Sequence, residues 1–130
     1  PQDYEPLCAL FRSARVEANY EGYAAFAGEI GERVKARLES MQKAFHAVVG
    51  DVRSDHGAMI AIELVDHGDA AKPLPDLTKA LVARAYENGL VLLSCGVNGN
   101  VIRLLPALTI PFEILDEGLD TLERCLESLV

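Results

Sequence analysis

The stretch LVLLSCGVNGNVIRLL, residues 90–105, predicts two β-strands joined by a tight turn. Leu90–Cys95 and Val101–Leu105 are short apolar runs, and the segment GVNGN between them concentrates the glycine and asparagine that tight turns require. A hairpin of this kind places its two strands side by side in antiparallel order. It therefore predicts an antiparallel or mixed sheet at the centre of the fold.

A third apolar run lies upstream of the hairpin. The sequence AMIAIELV, Ala58–Val65, is almost entirely apolar and rich in β-forming residues, which is typical of a strand buried on both faces. A further short strand near Asp51–Arg53 stays open as an alternative. The sheet is therefore predicted to contain three or four strands.

Helical patterns flank these strands. Apolar side chains recur every three or four positions along one face of a long predicted helix: Tyr23, Phe26, Ile30, Val34, Leu38, Met41 and Phe45. A shorter helical pattern over Leu7–Ala14 precedes it, and Gly22 is the expected break between the two.

Two more helices are predicted downstream. Asp76 is expected to cap the first, and Gly89 is a good C′ residue just past its end. Residues 66–75 before it have the composition of a surface loop. Thr109 is expected to cap the last helix, with Pro111 in its first turn. The apolar stripe of this last helix consists of leucines: Leu115, Leu119, Leu122 and Leu126.

The order of these elements predicts the fold class. Helix, strand, helix, strand, strand and helix follow one another without repeats or an internal linker, so residues 1–130 are expected to form a single domain. We predict an α+β fold in which a three- to four-stranded, mainly antiparallel sheet is covered on one face by helices.

Composition argues against several functional classes. Asp and Glu number 20 against 12 Lys and Arg, and the net charge of −8 argues against binding nucleic acid or an anionic membrane. No apolar run approaches the ~20 residues of a membrane span, and the 3 scattered cysteines do not form a disulfide framework. A cytoplasmic location is expected. The first residue, Pro1, leaves open that the chain is cut from a longer one.

Most candidate sites in the sequence are weak. The histidines lie far apart and predict no metal site. A nucleophile pair of Cys95 with a histidine is less favoured than a structural thiol, and GVNGN lacks the spacing of a dinucleotide-binding loop. Arg103 is different, because its charge is permanent and its neighbours are apolar. Two interpretations stay open: its head extends into water from an edge strand, or it binds a carboxylate.

Five segments together resemble the C-terminal region of class III, pyridoxal-phosphate-dependent aminotransferases, and the resemblance is strongest to 4-aminobutyrate aminotransferases. In chain order they are GERVKARLES, GDVR followed by GAMIAIEL, LVARAYENGLVLLSCG, NVIRLLPALT and EGLDTLERCLESL. The resemblance covers nearly the whole chain, from about Pro6 onward. It implies that these residues form the small domain of such an enzyme, packed beside a large cofactor-binding domain of the same parent chain.

The resemblance also implies roles for particular residues. Arg103 matches the family arginine of N-x-x-R, which receives the α-carboxylate of glutamate or 2-oxoglutarate and pairs with a large-domain glutamate when 4-aminobutyrate is bound. By this resemblance, Arg103 would face an active-site cleft at the junction of the two domains, and Ser94, Cys95 and Gly96 match the loop beside that cleft. The implied partners are the large domain, a small amino-acid or oxo-acid substrate and, as in most of the family, a second copy of the chain. Pyridoxal phosphate is the implied cofactor of the parent enzyme.

The sequence departs from the family pattern in two places. The family segment of arginine, glycine, any residue and glycine is replaced by Arg53–Gly57, which lacks the first glycine and has one extra residue. The aromatic residues that often follow SCG are replaced by Val97–Gly99.

The family's cofactor-binding lysine has no counterpart here. The lysines Lys35, Lys43, Lys72 and Lys79 lack its sequence context. We therefore predict that this chain alone neither binds pyridoxal phosphate covalently nor transaminates. Two alternatives stay open: a stand-alone, non-catalytic binding module that kept the fold, and a small regulatory domain similar in fold alone.

Overall fold

The fold is known from a computed structural model, which describes residues 16–130, with side chains described from residue 22 onward except that of His56. The helical pattern over residues 7–14 lies outside this range. Three helices and four strands follow in the order α1 (Val16–Ala44), β1 (Val49–His56), β2 (Met59–Leu64), α2 (Pro75–Glu87), β3 (Leu93–Cys95), β4 (Val101–Leu104) and α3 (Phe112–Glu127). A short 3₁₀ turn, Asp66–Gly68, follows β2.

The four strands form one antiparallel sheet in the order β1-β2-β4-β3. The predicted α+β class and antiparallel sheet are therefore confirmed. The predicted hairpin is present, because β3 and β4 pair with Leu93 opposite Arg103 and Cys95 opposite Val101. The strand predicted near Asp51–Arg53 is also present and longer than expected.

The core lies on one face of this sheet. Ile60, Ile62 and Leu64 of β2 are buried against the helices, whereas Met59 on the opposite face is 46% exposed and its neighbours there are half-buried. The expectation that β2 is buried on both faces is therefore wrong. An antiparallel sheet can be covered on one side alone, and the helices of this chain cover one side. We call the uncovered side the open face.

The helices supply the other half of the core. From Ile30 to Met41 the stripe of α1 is buried, and the four predicted leucines of α3 are buried as well. α3 packs against α1 and α2. At the start of the α1 stripe, Tyr23 and Phe26 remain 42% and 50% exposed. This part of α1 is therefore not covered by the described residues.

Helix boundaries differ from the predictions where local signals compete. α1 continues through Gly22, so the expected break there is wrong; one glycine weakens a helix by only about 1 kcal/mol. α2 begins at Pro75 after Leu74, and Asp76 lies within the first turn rather than at the cap. The cap of α3 is Pro111 rather than Thr109. Proline fixes φ near the helical value and lacks the N–H group that a helix start leaves unpaired, which favours these starts.

The extra residue in Arg53–Gly57 is accommodated by a β-bulge. Arg53 lies opposite Ala61 and His56 lies opposite Met59, so β1 uses three steps where β2 uses two. The chain then turns at Gly57, whose φ of 62° suits glycine. The departure from the family pattern therefore leaves Arg53 in register with β2.

Ion pairs join α1 to α3 along the solvent side. The Arg33 guanidinium donates to both carboxylate oxygens of Asp116, at 2.7 and 2.5 Å, and lies 4.9 Å from the centre of the Phe112 ring. One turn later, Arg37 lies 2.7 Å from both Asp120 and Glu123. Hydrogen bonding from Arg33 lowers the pKa of the Asp116 carboxyl.

Candidate functional site

Arg103 lies on the open face at the centre of the sheet. β4 is flanked by β2 and β3, so Arg103 does not lie on an edge strand, as one of the two interpretations assumed. Its exposure beside the apolar Leu93 is nevertheless what that interpretation expects. Arg103 is opposite Ala61 of β2, and Ala61 is in turn opposite Arg53 of β1. Opposite residues point to the same face of a sheet. The three residues Arg53, Ala61 and Arg103 therefore form a line across three strands, which we call the arginine row.

A second line runs beside the first. Glu63 of β2 is opposite Asp51 of β1 on one side and Val101 of β4 on the other. We call Asp51 and Glu63 the carboxylate row. Since the two rows are two residues apart on each strand, they share the open face, and each charged side chain has diagonal neighbours in the other row.

The carboxylate row neutralises Arg53. Its guanidinium Nη1 donates to the Asp51 carboxylate at 3.0 Å and to Glu63 Oε2 at 2.7 Å. The hydrogen bond from Arg53 is the main reason that the pKa of Glu63 is lowered. Glu63 is the less exposed of the two carboxylates, at 22% against 54%. The Arg53–Glu63 contact is therefore the better shielded of the two from solvent.

Asn100 holds the other oxygen of Glu63. Its side chain is buried, and its Nδ2 donates to Leu64 O at 2.9 Å and to Glu63 Oε1 at 3.3 Å. Its own carbonyl accepts from Leu64 N at 2.8 Å. Asn100 therefore fixes the end of the GVNGN turn against β2, three residues before Arg103.

Arg103 itself is exposed and unpaired within the described part of the chain. No carboxylate among residues 22–130 forms an ion pair with it. Its neighbours in the row and across β3 are the small Ala61 and the apolar Leu93. A planar guanidinium in this setting can donate two parallel hydrogen bonds to a carboxylate that approaches the open face.

An apolar cleft of about 490 Å³ borders Arg103. Its wall is formed largely by the ends of β3 and β4 and by α3, and the polar side chains that reach it include Glu117 and Thr121. Leu93, Leu105 and Ile114 beside it are all more than half exposed. The surroundings of Arg103 therefore combine one fixed cation with a broad apolar surface.

The three residues predicted to shape the cleft are not all on one side of the sheet. Cys95 is opposite Val101 and shares the open face with Arg103, whereas Ser94 is opposite the buried Ile102 and borders a small groove on α2. Gly96 begins the turn with φ of 87°, and a Cβ there would lie 2.9 Å from Val101 Cγ2. The structure therefore brings Cys95 to the face of Arg103, while Ser94 faces away from it.

Sequence reasoning did not single out Glu63 or Asn100. Two signals were present: Glu63 is the one charged residue in the apolar run AMIAIELV, and Asn100 is the first residue of N-x-x-R. Their link to Arg53 depends on strand pairing, which the sequence did not reveal.

The lysines of the described residues lie away from Arg103. Lys35 and Lys43 lie on α1, Lys79 lies on α2, and Lys72 is in a loop where its Nζ is 3.6 Å from Asp69. None of these lysines is on a strand that carries the arginine row, so the donor set beside Arg103 lacks an amine. The expectation that this chain alone does not bind the cofactor stays a prediction.

The described residues contain neither a cluster of metal ligands nor a membrane-spanning helix. Among the described residues, no three His, Cys, Asp or Glu side chains converge as a metal ion would require. None of the described helices combines the length and the hydropathy needed to cross a bilayer.

Comparison with known proteins gives a consistent set of relatives. The family model described as aminotransferase class-III matches residues 7–126. The chain is 50% identical over 100 residues to a 5-aminovalerate aminotransferase of Pseudomonas aeruginosa, covering 77% of this chain and 23% of that protein. It is 43% identical over 119 residues to a 4-aminobutyrate aminotransferase of Mycobacterium leprae, covering 92% and 26%.

The fold is also shared with solved structures. A phospholyase from Arthrobacter in complex with phosphoethanolamine superposes with a TM-score of 0.76 at 30% identity, covering 86% of this chain and 26% of that one. This chain thus spans about a quarter of the length of the relatives that it matches. The family match covers nearly all of the 130 residues. The chain therefore belongs to the class-III aminotransferase family.

Proposed function

We propose that this chain is the C-terminal domain of a pyridoxal-phosphate-dependent aminotransferase, and that Arg103 binds the α-carboxylate of its glutamate or 2-oxoglutarate substrate. The observation that carries the proposal is the contrast within the arginine row. Arg53 has two carboxylate partners, whereas Arg103 has none among the described residues and is exposed on the open face. A permanent charge without a partner is suited to a ligand carboxylate.

The amino donor in this proposal is 4-aminobutyrate or a close ω-amino acid. The support comes from relatives whose names specify 4-aminobutyrate and 5-aminovalerate, at 43% and 50% identity. Both compounds carry their amine and carboxylate at opposite ends of a short aliphatic chain. The apolar cleft beside Arg103 offers a surface on which such a chain can pack.

In this proposal the cofactor and this chain have different roles in the reaction. Pyridoxal phosphate, bound in the parent enzyme, supplies the electron sink for amino transfer. The role of this chain is to orient the substrate: Arg103 fixes its carboxylate by two charged hydrogen bonds, so that the reacting carbon is presented in one position. The site is complete only with a large cofactor-binding domain of the same parent chain, placed against the open face.

Kinetics of the full-length enzyme test the role of Arg103. Arg103→Leu should lower kcat/KM for glutamate by on the order of 10²-fold, because a bidentate charged contact is lost. Arg103→Lys should recover little of this loss, since a point charge cannot match the planar fork. Arg84→Leu on α2 is the matched control, because Arg84 is exposed and lies away from the open face. Normal glutamate kinetics in folded Arg103→Leu enzyme would contradict the proposal.

A stand-alone binding module is the alternative function. The parent gene distinguishes this module from a domain of an enzyme. A lysine-bearing cofactor domain encoded upstream of Pro1 supports the enzyme. A start codon at that position supports the module. The module would bind small carboxylates through Arg103 without transferring an amino group. Titration of the chain with glutamate, followed by isothermal calorimetry, would detect that binding.

A further inference from the structure

Glu63 lies on the strand between the two arginines of the arginine row. Arg53 and Arg103 both lie opposite Ala61, and Glu63 is two residues further along the same strand on the same face. Glu63 is therefore a diagonal neighbour of both. Diagonal neighbours in an antiparallel sheet lie about 7–8 Å apart, which is within the reach of long charged side chains. By backbone position alone, Glu63 can pair with either arginine.

In the structure Glu63 pairs with Arg53. Glu63 Oε2 accepts from Arg53 at 2.7 Å, and Oε1 accepts from Asn100 at 3.3 Å. Both carboxylate oxygens are thus engaged on the side of β1 and of the GVNGN turn. Asn100 is buried and is also bonded to the Leu64 carbonyl, so it cannot follow Glu63 toward Arg103 without breaking a buried hydrogen bond.

We propose that Arg53 is a positioning residue that keeps Arg103 available to the substrate by holding Glu63 away from it. The proposal rests on the function proposed for Arg103. A carboxylate on the open face is a built-in competitor for any substrate carboxylate, because both offer the same group to the same guanidinium. Arg53 and Asn100 remove that competitor by binding it first.

The loss of Arg53 has a definite consequence. Without Arg53, Glu63 loses its shortest contact, and Arg103 becomes the nearest guanidinium on the face. The Glu63–Arg103 pair then has to be broken whenever a substrate carboxylate binds. Binding becomes weaker, whereas the subsequent chemistry on bound substrate is unaffected.

The experiment uses the full-length enzyme and measures the glutamate half-reaction under single-turnover conditions. Arg53→Gln should raise the glutamate concentration for half-maximal rate about three- to five-fold, the upper part of the range expected for a partly exposed ion pair, with a maximal rate changed less than about two-fold. Glu63→Gln alone should stay within about two-fold of wild type. The double variant Arg53→Gln/Glu63→Gln should return to that same range, because the competitor is gone.

The 4-aminobutyrate half-reaction serves as an internal control. In that half-reaction Arg103 holds no substrate carboxylate at the reacting carbon, so all three variants should stay within about two-fold of wild type. A purely structural role for Arg53 predicts another pattern: both half-reactions suffer, and Glu63→Gln worsens the defect instead of reversing it. That pattern, or an unchanged glutamate dependence in Arg53→Gln, would overturn the proposal.

Two further variants separate the ways in which the experiment can fail. If Arg53→Gln folds poorly, Arg53→Met keeps the aliphatic stem on the sheet, and the same rise and the same reversal by Glu63→Gln are expected. Arg103→Leu tests the underlying function. If it leaves the glutamate half-reaction intact, the proposed function fails; if it impairs that half-reaction while Arg53 variants do not, only the role of Arg53 fails.

Discussion

Gly31 of α1 lies directly against the backbone of Gly57, the residue at the turn between β1 and β2. A Cβ placed on Gly31 would overlap the Gly57 carbonyl oxygen, and a Cβ on Gly57 would in turn lie 3.4 Å from Ala27 of α1. The absence of a side chain at Gly31 therefore allows α1 to cross the hairpin that carries Arg53.

Gly31→Ala should destabilise the protein by about 1–3 kcal/mol, because the added methyl meets backbone that cannot move without shifting the hairpin. The matched control is Gly28→Ala on the same helix, where a Cβ meets nothing within 4 Å. There alanine should stabilise by about 0.5–1 kcal/mol through its higher helix propensity. Urea unfolding of both variants measures the two changes in unfolding free energy. Equal changes would show that the close approach of Gly31 to Gly57 does not restrict the side chain at position 31.

Stability should fall in acid partly through Asp116. Its pKa is lowered in the folded protein by the hydrogen bond from Arg33, so its contribution is present above the unfolded pKa and is lost as the pH falls through the folded value. Arg33→Gln should therefore flatten the decline in unfolding free energy below about pH 5, where Asp116 begins to be protonated in the unfolded chain. Lys35→Gln, a cation of the same helix that forms no ion pair with the described residues, should leave it unchanged. If the unfolding free energies of wild type and Arg33→Gln fell in parallel with falling pH, the contribution of Asp116 would be disproved.

Gly96→Ala should destabilise the protein more than Gly68→Ala. Both glycines have positive φ, at 87° and 73°, so alanine is strained at either position. At Gly96 the Cβ also meets Val101 Cγ2 at 2.9 Å, while at Gly68 it meets nothing within 4 Å. Thermal unfolding should therefore rank the two variants in that order, and a reversed order would contradict the packing argument.

Arg103→Leu should leave the unfolding free energy of this chain within about 0.5 kcal/mol of wild type, because Arg103 is exposed and has no ion-pair partner among the described residues. Arg53→Leu is the matched comparison on the same face. It should lower stability by up to about 1 kcal/mol, because Glu63 and Asp51 lose their common partner. A chain destabilised by Arg103→Leu would indicate a structural role for that arginine.

The start of α1 should promote self-association of this chain. Tyr23 and Phe26 are exposed, and Phe26 lines a groove together with Phe112. Apolar surface of this kind commonly marks a partner surface. Phe26→Ser should reduce the concentration dependence of the sedimentation coefficient. Val97→Ser is the control, since Val97 is fully exposed at the tip of a turn. A monomer at all concentrations in the unaltered chain would disprove the expectation.

Periodicity in the sequence determined much of the fold. The stripe of α1 from Ile30 onward, the leucines of α3 and the hairpin around GVNGN follow from local spacing, because a helix or strand must place its apolar residues on one side. Helix starts were predicted less well. Asp76 and Thr109 are good caps, yet Pro75 and Pro111 set the starts because proline constrains the backbone directly.

The sequence by itself also identified Arg103, since a charged residue within an apolar run is a local signal. The relation of Arg103 to Glu63 and Arg53 was decided only by tertiary structure. These residues are up to fifty positions apart, and their rows depend on the strand order β1-β2-β4-β3 and on a bulge that keeps Arg53 opposite Ala61. A shift of one residue would turn Arg53 to the other face, because side chains alternate along a strand. Pairing across strands, which no local pattern encodes, therefore determined which arginine is neutralised and which has no ion-pair partner within residues 22–130.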